Sequence, residues 1–389
     1  MGKFEENVQN LVDATSFREP KKVPIGGSFF GWPFARAGAT YRDLMDDPVK
    51  AAEIYIKGME GIEIDYYLAL GIAQPIKMYQ AFGNYSITLG DDGVTVEHHQ
   101  ANDQYYNQDI YDTIIADAGR FTRDTNVKVK FPNLNQPKEK AYQAFISAVK
   151  EYMTFSDMNT RITDYFQKEK GAAPIQASPV ACVSPLTSIF HSIRGIRNTL
   201  LDLKRIPDKV YAACDALWEH QMLPMINRSN LDDFCKPFPF ARTGYHPECF
   251  VSPEVYDRIY FNYFRDKFLP YMEKGMKFFL LGEGAFLSTM DRFRQLPKGS
   301  MIILLDQDDP FEAHKKIGDW CTIACGITVD LLSVGTKQQC IDYVKKCFDT
   351  FAPGGGFIFL SNGPLMSASD AKLENILAAY ETANDLSRK

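Results

Sequence analysis

One pattern occurs four times between Phe278 and Asn362, and it constrains this chain more than any other feature. An apolar run closes on small or polar residues, and a helix-like segment follows. The runs are Phe278-Phe-Leu-Leu-Gly-Glu283, Met301-Ile-Ile-Leu-Leu-Asp306, Cys321-Thr-Ile-Ala-Cys325-Gly and Gly356-Phe-Ile-Phe-Leu-Ser-Asn362. They are too short for ordinary helices and read as strands buried on both faces. Among the intervening segments, Thr336 to Phe351 places Cys340, Tyr343, Val344, Cys347, Phe348 and Phe351 on one apolar helical stripe. Strand and helix in alternation predict a parallel sheet. The expected fold class is α/β, a (β/α)8 TIM-like barrel, in which the strand ends form the active-site face. Glu283, Asp306, Cys325 and Asn362 all sit where those strands end.

The whole chain of 389 residues reads as one barrel domain, interrupted at about 85–170 by a hairpin and helical cap. Strands are expected at Val23–Phe30, Ile62–Leu70 and Ala177–Ser184, with a short one at Tyr245–Val251. Helices are expected at Tyr41–Gly61, Pro185–Lys204, Pro207–Met222 and Pro253–Lys274. In Tyr85–His98, Ile87, Leu89, Val94 and Val96 alternate with polar residues about Gly90-Asp-Asp-Gly93, a hairpin signature. Charge narrows the partners. A net charge of −6 argues against a nucleic-acid footprint, and no apolar run approaches a membrane span. Eight cysteines without a CxxC pair, and a start lacking an apolar leader, point to reduced thiols in the cytoplasm.

Several short pieces, in order, resemble the uroporphyrinogen decarboxylase-like superfamily, and within it the corrinoid-dependent methyltransferases that demethylate methoxylated aromatics. They are Val23-Pro24, Arg36-Ala-Gly38 with Tyr41-Arg-Asp43, Ser184-Pro185 with Arg194-Gly195, Gly282-Glu-Gly284 and Leu296-Pro-Lys-Gly299. Gly318-Asp319, Leu331-Leu332 with Gly335-Thr336, Gly354-Gly-Gly-Phe-Ile358 and Asn375 complete the set. The resemblance covers most of 20–385 and is weakest at about 85–170. It implies a (β/α)8 barrel that moves a methyl group from a small methoxylated aromatic to the cobalamin of a separate corrinoid protein. The sequence departs from the decarboxylase itself: Ala35 and Ala39 stand where that enzyme has carboxylate-binding arginines, and its catalytic Asp has no counterpart in Tyr66-Tyr-Leu-Ala-Leu70. It departs also from thiol-methylating relatives, whose His-x-Cys and Cys zinc ligands correspond to Leu281, Glu283 and Asn362-Gly363.

Ether-demethylating relatives with acidic zinc ligands resemble the chain better, since Asp291 and Asp306 match the spacing of two such ligands. The resemblance puts the third ligand near Cys325 or Ile327, while the strand-end positions of Glu283, Asp306 and Cys325 make those three the expected zinc ligands, with Glu283 and Asp306 catalytic. Zinc would stabilise charge on the leaving oxygen. Trp32, Phe34, Tyr67, His191 and Asn362 are the expected substrate-binding residues. Simpler roles stand beside these. Acidic residues at strand ends often cap helices, a cysteine in an apolar strand is often a small core residue, and Asp291 lies on a helix face. His191 suits a structural histidine, the aromatic group suits core, and His246-x-x-Cys249 has metal-like spacing without a second pair. A homodimer, another lyase or decarboxylase activity, and a non-catalytic corrinoid- or porphyrin-binding homologue all remain open.

Overall fold

The computed structural model describes residues 2–99, 106–175, 184–234, 239–245 and 247–388. Among these residues are ten strands: β1 (Gly26–Phe29), β2 (Tyr66–Leu70), β3 (Ile87–Leu89), β4 (Val96–His98), β5 (Ala173–Pro174), β6 (Phe240–Tyr245), β7 (Lys277–Gly282), β8 (Met301–Leu305), β9 (Thr322–Ile327) and β10 (Phe357–Ser361). Eight of them are parallel, in the orders β5-β2-β1 and β10-β9-β8-β7-β6. A parallel bridge from Ile25 to Phe359 joins β1 to β10, backed by the Phe359 N–H donating to the Pro24 carbonyl at 2.9 Å. Among the described residues no pairing joins β5 to β6, so the predicted closed ring appears as eight parallel strands with one open seam. The Arg242 guanidinium crosses from β6 to the other side of that seam, donating to the Leu68 carbonyl at 3.2 Å.

Side-chain alternation sorts the core into two layers. A smaller cluster joins Tyr66 and Leu68, Ala173, Phe240, Phe279, Ile302 and Leu304, Ala324, and Ile358 and Leu360. Residues from seven strands meet in one cluster only if the sheet curls on itself, so this is its concave interior. The Tyr66 phenol reaches across it to the Phe359 carbonyl at 3.1 Å. Gly26 makes room, because a Cβ there would lie 2.2 Å from the Tyr66 ring. The intervening residues, Phe278, Leu280, Ile303, Ile323, Cys325, Phe357 and Phe359, face the helices in the larger cluster. The helix Lys3–Thr15 closes the end where strands begin: Leu11 and Ala14 enter the inner cluster, and the Ala14 carbonyl accepts from the Gly356 N–H.

The four repeated units fold as the pattern requires, and the helix Lys337–Phe351 starts with a capping box between Thr336 and Gln339. The hairpin pairs Ile87 with His98 and Leu89 with Val96. The cap is dominated by the 31-residue helix Lys138–Lys168. Two expectations are corrected. Pro185–Lys204 is two helices, Pro185–Ser192 and Ile196–Arg205, broken at Gly195, whose φ is +73°. That break turns Arg194 back so that its Nε donates to Asp202 at 2.9 Å. The strand expected at Tyr245–Val251 is β6, Phe240–Tyr245, and Pro247–Phe250 is a 3-10 turn. Apart from Ser184, the strand expected at Ala177–Ser184 lies outside the described residues. Among those described, no helix is long and apolar enough to cross a membrane.

Candidate functional site

The parallel strands bring their C-terminal ends to one rim, and three of the expected residues meet there. Inward positions on β7, β8 and β10 alternate through Phe279 and Leu281, Ile302 and Leu304, and Ile358 and Leu360. Glu283, Asp306 and Asn362 continue those series just past the strands. The Asp306 N–H donates to the Gly282 carbonyl, and its Oδ2 accepts from the Gly284 N–H, both at 3.3 Å. Asn362 binds Asp306 in turn: its Nδ2 donates to the Asp306 carbonyl at 3.0 Å, while its Oδ1 accepts from the Val329 N–H at 2.8 Å. One amide N–H of Asn362 and one lone pair remain for a ligand. Asp306 is exposed and Glu283 half-buried. The next two acidic residues on the β8 loop are backbone acceptors, Asp308 for the Phe286 N–H and Asp309 for the Phe311 N–H, each at 2.8 Å.

One further residue belongs to this face, and another lies deeper in the interior. Gly284 has φ +90°, and a Cβ there would lie 2.6 Å from the Cys249 Sγ, so the half-buried thiol of Cys249 packs over the backbone next to Glu283. Arg242 shares the inward alternation of Phe240 and brings a guanidinium into the interior. The strand expected from the sequence begins five residues later, so Arg242 falls outside it. The signal was present: Phe240-Ala-Arg-Thr-Gly-Tyr245 is a short β-prone run with a single charge. His246 lies outside the described residues.

Other expected site residues are placed elsewhere. Cys325 is on the outward alternation of β9, packed among the helix-facing residues, whereas Ala324 beside it faces inward. Burial pushes its thiol well above the ordinary range, with its hydrogen bond to Cys347 adding to the shift. Cys325 is therefore a core thiol and not a third ligand beside Glu283 and Asp306. Trp32 and Phe34 are buried in the short helix after β1. The Trp32 indole donates to the Ala371 carbonyl at 2.9 Å, and Phe34 packs on Tyr41 and Tyr55. Tyr67 faces the cap helix, where Gln167 Nε2 donates to its hydroxyl at 2.5 Å; burial raises its pKa to about 12. These three aromatics are core, because the strand alternation and the helix after β1 turn them outward. His191 is half-buried on the helix Pro185–Ser192, edge-on to Phe190. Asp291 is exposed and paired with Lys316 at 3.0 Å.

Zinc needs three or four converging donors. Among the described residues no three His, Cys, Asp or Glu side chains are grouped to hold a metal. The chemistry at hand is thus that of two acidic side chains, one half-buried and one exposed, with an amide and a thiol at the rim, and a guanidinium deeper in the interior.

No protein-family model matches this sequence, and no curated protein matches it. Among solved structures, the fold is similar to that of a methyltransferase from Methanosarcina mazei, with a TM-score of 0.57. The two are 12% identical, and the likeness covers 97% of this chain and 98% of the other. It establishes the fold. The shared architecture is mixed α/β with parallel sheets, spanning nearly the whole length of both proteins.

Proposed function

We propose that this protein is a methyltransferase that takes the methyl group of a small methoxylated aromatic compound and passes it to a corrinoid carried by a separate protein. The reading is supported chiefly by the full-length likeness to a methyltransferase, together with the acidic and amide groups at the C-terminal face. An aryl methyl ether is inert because its oxygen must leave with the bonding pair. The corrinoid supplies a reduced cobalt that contributes both electrons of the new bond to the methyl carbon. The O–CH3 bond breaks, its electron pair stays on the aryl oxygen, and a proton completes the phenol. Glu283 is the residue assigned to deliver that proton. Asp306 positions it, by holding the Gly284 N–H immediately after it. Arg242 offers a guanidinium for an acidic ring substituent.

The test is phenol release from a methoxylated benzoate mixed with this protein and a reduced corrinoid protein. Glu283→Gln is expected to slow release about 100-fold, and Asp306→Ala to slow it while the protein stays folded. Equal release without any corrinoid would overturn the acceptor, and full activity in both variants would overturn the site. A second reading is a corrinoid- or porphyrin-binding homologue without turnover, favoured by the lack of a metal-holding group among the described residues. Corrinoid binding with no phenol formed from any methoxylated ring would select it.

A further inference from the structure

The helix Lys138–Lys168 carries far more apolar surface than its packing uses. One face, with Ala148, Met158, Ile162 and Phe166, is buried against the body, where the helix contacts Pro48–Gly58 and Ile76–Ala81. Beside that face runs a second stripe of Tyr142, Phe145, Val149, Tyr152 and Met153, exposed by 57, 50, 39, 49 and 65%. The spacing i, i+3, i+7, i+10, i+11 confines these five side chains to about 100° of helix, the pattern of a coiled-coil seam. Isolated apolar residues on a surface need no explanation, but five in register over three turns do.

We infer that this stripe is the interface for a second copy of the same chain, paired antiparallel about a two-fold axis near Ser147. In an antiparallel seam the two alternate positions of one helix face the opposite alternates of the other. Tyr142 then meets Tyr152 of the second copy, and Phe145 meets Val149. Area agrees with this occupant. With aromatic side chains of 150–250 Å² roughly half exposed, the five residues offer about 500 Å² per copy, or about 1,000 Å² in a symmetric pair. That reaches the lower bound of a specific interface. A two-fold contact needs only one self-complementary patch, and the stripe is one.

Sedimentation equilibrium on the full-length protein at about 50 µM tests the inference, in the range where an interface of this size associates. The expected mass is twice the 44.1 kDa of the chain. Phe145→Asp with Tyr152→Asp is expected to give a monomer with unchanged helical circular dichroism. Val334→Asp, at an exposed apolar residue remote from the stripe, should stay dimeric. Orientation is read by crosslinking. Tyr142→Cys protein mixed with Tyr152→Cys protein should form mixed disulfide dimers, while Tyr142→Cys alone should not. A monomeric wild-type protein would hand the stripe to some other partner and overturn the proposal. So would a dimer that survives the double substitution, or crosslinking of Tyr142→Cys with itself.

Discussion

Lys277 offers a prediction whose size follows from the structure. It opens β7 at the end closed by the helix Lys3–Thr15, is 7% exposed, and forms no ion pair among the described residues. Its Nζ donates instead to the Thr15 carbonyl at 2.9 Å and the Gly299 carbonyl at 2.7 Å. Burial, and secondarily the nearby Arg18, push its pKa from 10.5 down to about 8. A shift of that size corresponds to about 3 kcal/mol between the two protonation states. The sign follows from proton counting. Below about pH 8 the amine is charged in both folded and unfolded chains, and the folded state bears the whole cost. Between about 8 and 10.5 the unfolded chain binds more protons, so this residue's contribution to stability rises with pH. Lys277→Met keeps the packing of the stem and removes the titration. It leaves two carbonyls without a donor, a cost of about 1–3 kcal/mol each that does not change with pH. Urea unfolding of both proteins at pH 7.5 and pH 10 isolates the effect, since all other groups cancel in the difference. The wild-type advantage should grow by about 2–3 kcal/mol between the two conditions. A difference that is the same at both pH values, or that shrinks as pH rises, would refute the reasoning.

Two smaller perturbations probe the layers of the sheet. Cys325→Ala should cost about 1–2 kcal/mol in the same unfolding assay and leave the metal content of the purified protein unchanged; loss of a bound metal would return Cys325 to the site. Gly26→Ala drives a methyl into the Tyr66 ring and should destabilise by about 1–3 kcal/mol. Adding Tyr66→Leu should recover part of that loss, and a neutral Gly26→Ala would mean that the ring does not lie across β1.

The last four strands were readable because each is buried on both faces, so an unbroken apolar run marks it. The same property hid the chemistry: a run without alternation does not say which residues face in. Hence Cys325, between Ala324 and Gly326, was read as a rim residue although its side chain meets Cys347 in the helix layer. Glu283, Asp306 and Asn362 lie just past the ends of their strands, where a polar residue that closes an apolar run is left. Trp32, Phe34 and Tyr67 failed for the opposite reason, since large aromatics serve core and pocket equally well. Asn375, read only as part of a resemblance, has a structural explanation: its Nδ2 donates to the carbonyls of Leu331, Leu332 and Gly335, tying the end of one helix to the start of the last. The break at Gly195 was missed because the apolar pattern runs through it, and only the positive φ and the Arg194–Asp202 pair reveal it.

The bridge from Ile25 to Phe359 has a consequence for how the molecule is made. The first strand of the sheet finds one of its two neighbours only after more than three hundred further residues have left the ribosome. Until then β1 presents an unpaired parallel edge, Gly26–Phe29, to whatever surrounds it. Contacts of such long sequence separation slow folding, and an open apolar edge during that delay is the usual route to aggregation. The chain's vulnerable period should therefore end abruptly once Phe359 is available, and truncations before it should accumulate as insoluble protein even when every helix they contain can form.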